Sequence, residues 1–319
     1  MGSGEFLLEV RTEEIPARML PPATQELASR LFEELMARRL PPASVLSTFT
    51  PRRLVLVLTG LPAREPDRDE ELLGPPVKAA FRPDGSPSPA AEGFARRCGV
   101  EVGALRRRET EKGEYLAATR HLPGRPATEV LAELLPRLLT GLAWAKTMRW
   151  GEGTGPWVRP VHGIVALLDG AVVPFSLFDV AAGDTTVGHA TLSPEPFRVD
   201  GWESYRRELA ARGVVVEVAE RRERLLAGMR ERAAAAGGAL VTDEPLLDKL
   251  AAICEIPGVL EGAFDPRFLA LPREVLTASL RDHQSALTVE REGALLPLFL
   301  TVMDRPDDPV GRVRAGNEW

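Results

Sequence analysis

Apolar positions along the 319-residue chain switch repeatedly between strand-like and helix-like spacing. "FLLEVRTEEI" reads as a strand, and "EEIPARML" opens a helix running to about Leu40. "SVLSTFTPRRLVLVLTGL" reads as two strands broken at Thr50-Pro51, because proline removes a ladder donor. "LPAREPDRDEE" is a charged, proline-containing connector at which the chain changes character. Beyond it, "AAEGFARRCGV" is helical, "KGEYLAATRHL" is a strand, and "ATEVLAELLPRLLTGL" carries apolar residues at helical spacing. "VHGIVALLDGAVVPFSLF" predicts a hairpin around Asp169-Gly170. "GWESYRRELAARG" reads as a helix, "VVVEV" as a strand, and "AERRERLLAGMRERAAAAGG" as a helix closed by glycine. Two further helices, "EPLLDKLAAICE" and "LPREVLTASLRDHQ", precede a buried strand, "LLPLFLTVMD". "RPDGSPSPAA", Arg82 to Ala91, reads as an exposed, mobile loop. Strands and helices mix without strict alternation, which predicts an α+β or mixed α/β fold in several modules.

Composition narrows this picture modestly. The hydrophobic content of 44% and charged content of 27% fit a globular protein large enough for more than one core. A net charge of -6 argues against wholesale coating of nucleic acid, including DNA, but leaves room for a local basic face. The only cysteines, Cys98 and Cys254, are far apart and offer neither a disulfide framework nor a CxxC site, which fits a reducing, cytoplasmic setting. No apolar run is long enough to span a membrane. The opening "MGSGEF" reads as a cloning scar followed by a strand, and Trp319 as a tag remnant or a last native position.

Several chemistries lack their signatures. His121, His162, His189 and His283 are widely spaced, with no pair at helical metal-ligand spacing. GxxxxGK[ST], GxGxxG after a strand, and GxSxG are all missing. No catalytic residues and no cofactor are therefore expected in this chain.

Four stretches stand out, each with a functional and a structural reading. Trp144 to His162 holds three of the five tryptophans together with Lys146, Arg149 and Arg159. Cations neutralise phosphates and indole faces such as Trp150 stack on unpaired bases, so this turn is an RNA-contact candidate. Alternatively its tryptophans are core anchors. Between Arg96 and Lys112 six cations (Arg96, Arg97, Arg106, Arg107, Arg108 and Lys112) face three acids. They form a phosphate rim or a solvated surface. In "TPRRL", Arg52 and Arg53 either clamp an acid or phosphate or make an intramolecular ion pair. Arg281 and His283 end a helix, as a polar cluster facing RNA or a partner subunit or as cations satisfying the helix dipole.

Together these stretches resemble the beta subunit of the bacterial two-subunit glycyl-tRNA synthetases. The resemblance rests on "LLEVRTEEIP", "TPRRL", "GFARRCGV" with "KGEYL", "AKTMRWG" with "VRPVHGIVALL", "VGHATL", "FLALPREVLTASLRDHQ" and the closing "GNE", in the family's order over nearly the whole chain. Ala145 stands where the family usually has proline, and Ser285, Ala286 and Leu287 stand where it usually has a basic and an aromatic residue.

The resemblance implies an amino-terminal fragment whose helical HD-like and anticodon-binding domains are absent. It implies an N-terminal α/β module in 1–64, completed by 140–200 with the basic-aromatic turn and hairpin. A small α+β RNA-binding, body-tail-like module would follow in 65–139, and a B3/4-like module in 201–319. The implied role is to bind tRNA(Gly) and position it for a separate alpha subunit, which resembles class II synthetases and carries the ATP, magnesium and glycine chemistry. A rival role is architectural, binding the alpha subunit with little RNA contact. A third, B3/4-type editing, finds no nucleophile–base pair in the sequence.

Overall fold

The computed structural model describes residues 3–152 and 155–318. Met1, Gly2, Gly153, Thr154 and Trp319 lie outside the described residues. The chain divides into two compact units, Met1–Ala63 with Thr128–Trp319, and Arg64–Ala127.

The first unit opens with β1 (Ser3–Thr12), which begins inside the stretch read as a scar. Helix α1 (Leu20–Ala37) follows, then β2 (Ser44–Thr50) and β3 (Arg53–Pro62), the latter two broken at Pro51-Arg52. The chain leaves this unit at Ala63, within the charged connector.

The second unit contains β4 (Arg68–Pro76), α2 (Val77–Ala80), α3 (Pro89–Cys98), β5 (Arg106–Thr110) and β6 (Gly113–Leu122). Its sheet runs β4-β6-β5, antiparallel throughout. Leu116 and Ala118 of β6 pack on Phe94 and Cys98 of α3. The stretch expected to be an exposed, mobile loop is exposed at Arg82–Gly85 and forms a tight turn. Arg82 N–H donates to Ser86 O at 2.8 Å, and Ser88 caps α3 by accepting from Ala91 N–H, so residues 89–91 are already helical. Gly99, at φ 70°, closes that helix in the left-handed region.

The chain returns to the first unit with α4 (Ala127–Thr140). The second unit ends at Ala127, the first residue of this helix. Arg38–Glu133 at 3.0 Å and Arg137–Glu34 at 2.7 Å tie α4 to α1. Strands β7 (Val161–Leu168) and β8 (Ala171–Val172) then form the hairpin predicted at Asp169-Gly170, both of which have positive φ. Short strands β9 (Ser176–Leu177), β10 (Val180–Gly183), β11 (Thr185–Val187) and β12 (Pro196–Arg198) follow. The main sheet runs β2-β3-β1-β7-β10-β9. One face of β1, β3 and β7 buries Leu7, Val55, Val57, Val165 and Leu167 against Tyr205 and Leu209 of α5 (Trp202–Ala211). Phe6, Leu8, Leu54 and Leu56 on the other face are as deeply buried. Burying each such side chain stabilises the fold by about 1.5–3 kcal/mol.

The rest of the unit comprises α6 (Val218–Ala235), β13 (Ala239–Leu240), α7 (Glu244–Ala252) and β14 (Gly258–Ala263). After these come α8 (Arg273–Ser279), β15 (Leu287–Arg291), β16 (Ala294–Met303) and α9 (Arg312–Asn317). A four-stranded sheet, β13-β15-β16-β14, packs Val289 and Leu300 against Leu225 and Met229 of α6 and Leu247 and Leu250 of α7. The expected strand at "VVVEV" is absent. Val214, Val215 and Val216 are buried but make no strand ladder, and Val215 N–H donates to Glu255 O at 3.0 Å. The whole is a mixed α/β fold with several sheets and, among the described residues, nine helices.

Candidate nucleic-acid interface

The two arginines of "TPRRL" have opposite fates. β1 and β3 pair Arg11 with Arg53, so Arg53 shares the face of Glu9 and points into the unit. It is 1% exposed. Its Nε donates to Glu9 Oε2 at 3.1 Å, its Nη1 to Glu255, and its Nη2 to Val187 O at 2.8 Å and Gly188 O at 3.0 Å. Glu9 also accepts from Thr186 and Tyr205, and Glu255 accepts from Thr50 Oγ1 at 2.7 Å. Burial pulls the Arg53 guanidinium down, and Glu255 and Glu9 more than reverse it, so it stays above its usual value. Arg53, expected at an RNA surface, thus lies buried with its donors bound inside the fold, at the floor of a polar cavity. Arg52 turns outward and pairs with Glu13 at 3.3 Å and Glu14 at 3.1 Å.

Just outside this cluster lies a polar cavity of about 190 Å³ lined by Arg11, Glu13, Arg52, His162 and Gly188. The structure thus brings together segments that are distant in sequence. Glu13 accepts from Arg52 and lies 2.8 Å from His162 Nε2, so Arg52 and His162 already share a carboxylate. Burial lowers the Arg11 guanidinium, with Glu9 opposing, and its Nη2 donates to His162 O at 3.1 Å.

The tryptophan turn is part anchor and part surface. Trp157 is fully buried, donates Nε1–H to Leu139 O at 2.9 Å, and meets the half-buried Trp144 edge-on at 5.4 Å. Trp150 is half-buried and edge-on to Phe178 at 5.2 Å. Met148 and Trp157 exchange backbone hydrogen bonds of 2.8 and 3.1 Å that close the turn. Arg149 Nη1 donates to Gly155 O at 2.7 Å, and Arg159 Nε to Glu14 O at 2.9 Å. Lys146 is exposed, with no partner among the described residues.

In the second unit the candidate cations lie on the surface. Arg96 and Arg97 occupy the last turn of α3, where the helix dipole favours positive charge. Arg97 stacks over Phe94 at 5.3 Å and Arg107 over Phe81 at 5.9 Å. Arg108 pairs with Glu71, whereas Arg96, Arg106 and Lys112 have no side-chain partner among the described residues. Arg281 chelates its neighbour Asp282 at 2.7 and 3.1 Å and lowers that carboxyl. His283 is exposed in the widened turn Leu280–Gln284 that follows α8.

Sequence reasoning missed Arg221, which is fully buried with no carboxylate partner among the described residues. It donates to Ala251 O at 2.9 Å, Val215 O at 2.6 Å, Val216 O at 3.0 Å and Phe49 O at 2.6 Å, and burial lowers it to about 10. Nothing in "AERRERL" separates it from its solvated neighbours. Glu9 did carry a signal: a lone acid within the apolar run "FLLEV" needs a buried partner. Among the described residues, no three His, Cys, Asp or Glu side chains are grouped to hold a metal ion, and no helix is long and apolar enough to cross a membrane.

Comparison with known proteins bears on the whole chain. It is 44% identical over 317 residues to the glycine–tRNA ligase beta subunit of Geobacter sulfurreducens, covering 99% of this chain and 46% of that one. The corresponding subunits of Trichlorobacter lovleyi and Syntrophotalea carbinolica are 42% and 40% identical over 318 and 317 residues, with the same coverages. The chain thus spans about half the length of these curated relatives. The family model described as glycyl-tRNA synthetase beta subunit matches residues 6–319, and the chain belongs to that family.

Proposed function

We propose that this chain is the tRNA-engaging, amino-terminal part of a glycine–tRNA ligase beta subunit. In this reading it helps position tRNA(Gly) for a separate alpha subunit in the cytoplasm. ATP, magnesium and glycine are handled by that partner. The second unit takes the role of a body-tail-like RNA-binding module, and the region of the four-stranded sheet that of a B3/4-like module.

The observation that carries the reading is where the charge sits. The whole chain is net -6, yet Arg64–Ala127 holds twelve Lys and Arg against eleven Asp and Glu. Its outward Arg96, Arg106 and Lys112 are left without intramolecular partners among the described residues. Such cations are available to phosphates, and each neutralised duplex phosphate contributes about 0.9 to the salt slope of log affinity. The test is tRNA binding by this chain over a range of salt. Replacing Arg96, Arg106 and Lys112 with glutamine should weaken binding and flatten the slope. Absent or salt-independent binding overturns the reading.

A second, architectural reading is favoured by one observation. Phe268, Leu269, Leu271 and Val275 are 37–52% exposed in one short stretch, beside a cavity of about 510 Å³. An apolar ridge of this kind suits a protein partner. Under that reading, tRNA binding by the chain is weak and insensitive to the three substitutions.

A further inference from the structure

The small sheet of the second unit has two unlike faces. Residues opposite one another on antiparallel strands share a face, and successive residues alternate. Leu116 and Ala118 of β6, with Leu72 of β4, turn toward α3 and its Phe94. The intervening residues turn the other way. The register sets Tyr115 beside Arg108, Ala117 between Arg106 and Leu73, and Thr119 beside Glu71. None of these residues belongs to the core under the helices of this unit.

What this second face displays is unusual for a solvated sheet. Leu73 is 50% exposed, Tyr115 is half-buried, and Arg106 is exposed with no partner among the described residues. Ala117, at 2% exposure, lies sunk between the longer side chains of its row. Arg108 reaches Glu71 across the central strand, with both side chains about half exposed. Exposed pairs of this kind contribute little, so a phosphate can displace the carboxylate. Asp69 and Glu71 stand on β4, and Arg106 and Arg108 rise from β5. Tyr115, with Arg108 beside it on β5, Pro76 beside it on β4 and the acids further along β4, would orient a single strand. Its phosphates would be drawn toward β5 and its bases would lie inward over the tyrosine.

We propose that this open sheet face is a platform for unpaired nucleotides of tRNA, with one base stacked on Tyr115 and the adjoining phosphates along Arg106 and Arg108. The proposal rests on the tRNA-binding reading above and adds to it the surface and the kind of RNA segment bound. A duplex would meet the rim cations but would offer no free base to Tyr115.

The experiment is tRNA binding by this chain at several salt concentrations, with thermal unfolding of every variant. Tyr115→Ala should weaken binding about 5- to 150-fold with little change in salt slope, the range expected for loss of one stacked base. Tyr115→Phe should bind as the parent does. Tyr115→Leu keeps apolar bulk without the aromatic face and should bind as poorly as the alanine variant, even if the alanine variant is less stable. Arg106→Gln should lower the slope by about 0.7, the single-strand value. Parent-like binding by a folded Tyr115→Leu variant overturns the platform while leaving tRNA binding intact. Weaker association with the alpha subunit at unchanged tRNA affinity also overturns it and assigns the face to protein. Failure of the unsubstituted chain to bind tRNA sinks both readings.

Discussion

Arg53 and Glu255, 202 residues apart in sequence, share a buried ion pair at the end of the main sheet. Glu9 completes the cluster from the neighbouring strand. Removing one member of such a group leaves the others buried and uncompensated, at a cost of about 3–5 kcal/mol. Arg53→Met should therefore lower unfolding stability by about that amount, whereas Arg52→Met, which breaks only half-exposed pairs, should cost about 1 kcal/mol or less. Urea unfolding of the two variants checks this. A stable Arg53→Met protein whose tRNA binding has lost salt dependence would return Arg53 to the RNA surface.

Cys254 provides a prediction on the alkaline side. The thiol is fully buried beneath α7, donates to Leu250 O at 3.4 Å, and burial pushes it up from 9.0 to about 12. Burial and then Glu9 also raise the Tyr205 phenol. For an acid whose folded pKa is raised, the associated stability is complete below its unfolded value. It is lost as pH rises, because the unfolded chain ionises first. Stability should thus decline between about pH 9 and pH 12 through Cys254, with Tyr205 adding to the loss above its usual value of 10.0. At about pH 8, alkylation of Cys254 should be far slower in the folded chain than in urea. Equal rates would show that the thiol is accessible.

Local signals made much of the fold readable in advance. Asp169-Gly170 specified its hairpin because both positions need positive φ, which this pair tolerates. The helix at Ala127–Thr140 followed from spacing alone, but its membership of the first unit did not, since that depends on Arg38 and Glu34 of α1. "VVVEV" had strand composition and still formed no ladder, because its carbonyls at Val215 and Val216 are taken by Arg221. The candidate site was readable as residue types rather than as geometry. Arg52 and Arg53 are adjacent in the chain, and only the pairing with β1 decides which of them enters the core. The tryptophans divide in the same way: Trp157 is an anchor, while Trp150 retains an exposed part.

A further expectation concerns chemistry. The sequence carries no phosphate-binding glycine loop and no signature of an adenylate-forming centre. ATP–pyrophosphate exchange with glycine, measured on this chain alone, should stay at background and should appear only when an alpha subunit is supplied. Exchange well above background without that partner would refute the division of labour proposed above.

Within the tryptophan turn, Lys146 is the cleanest probe of RNA contact. Arg149 and Arg159 hold the carbonyls of Gly155 and Glu14, so replacing them disturbs the turn as well as its charge. Lys146 makes no such bond among the described residues. If it neutralises one phosphate, Lys146→Gln should lower the salt slope by about 0.9 without changing thermal stability. Trp157→Ala should behave in the opposite manner. It removes a fully buried indole and its bond to Leu139 O, at a cost of about 3–5 kcal/mol of folding stability. Trp150→Ala separates the remaining possibilities. A base stacked on its exposed part predicts about 1–3 kcal/mol of lost affinity at nearly constant slope, while a purely packing role against Phe178 predicts lost stability and unchanged affinity. If Lys146→Gln and Trp150→Ala both fold and bind tRNA like the parent at every salt concentration, the turn is a structural clasp and RNA contact lies elsewhere on the chain.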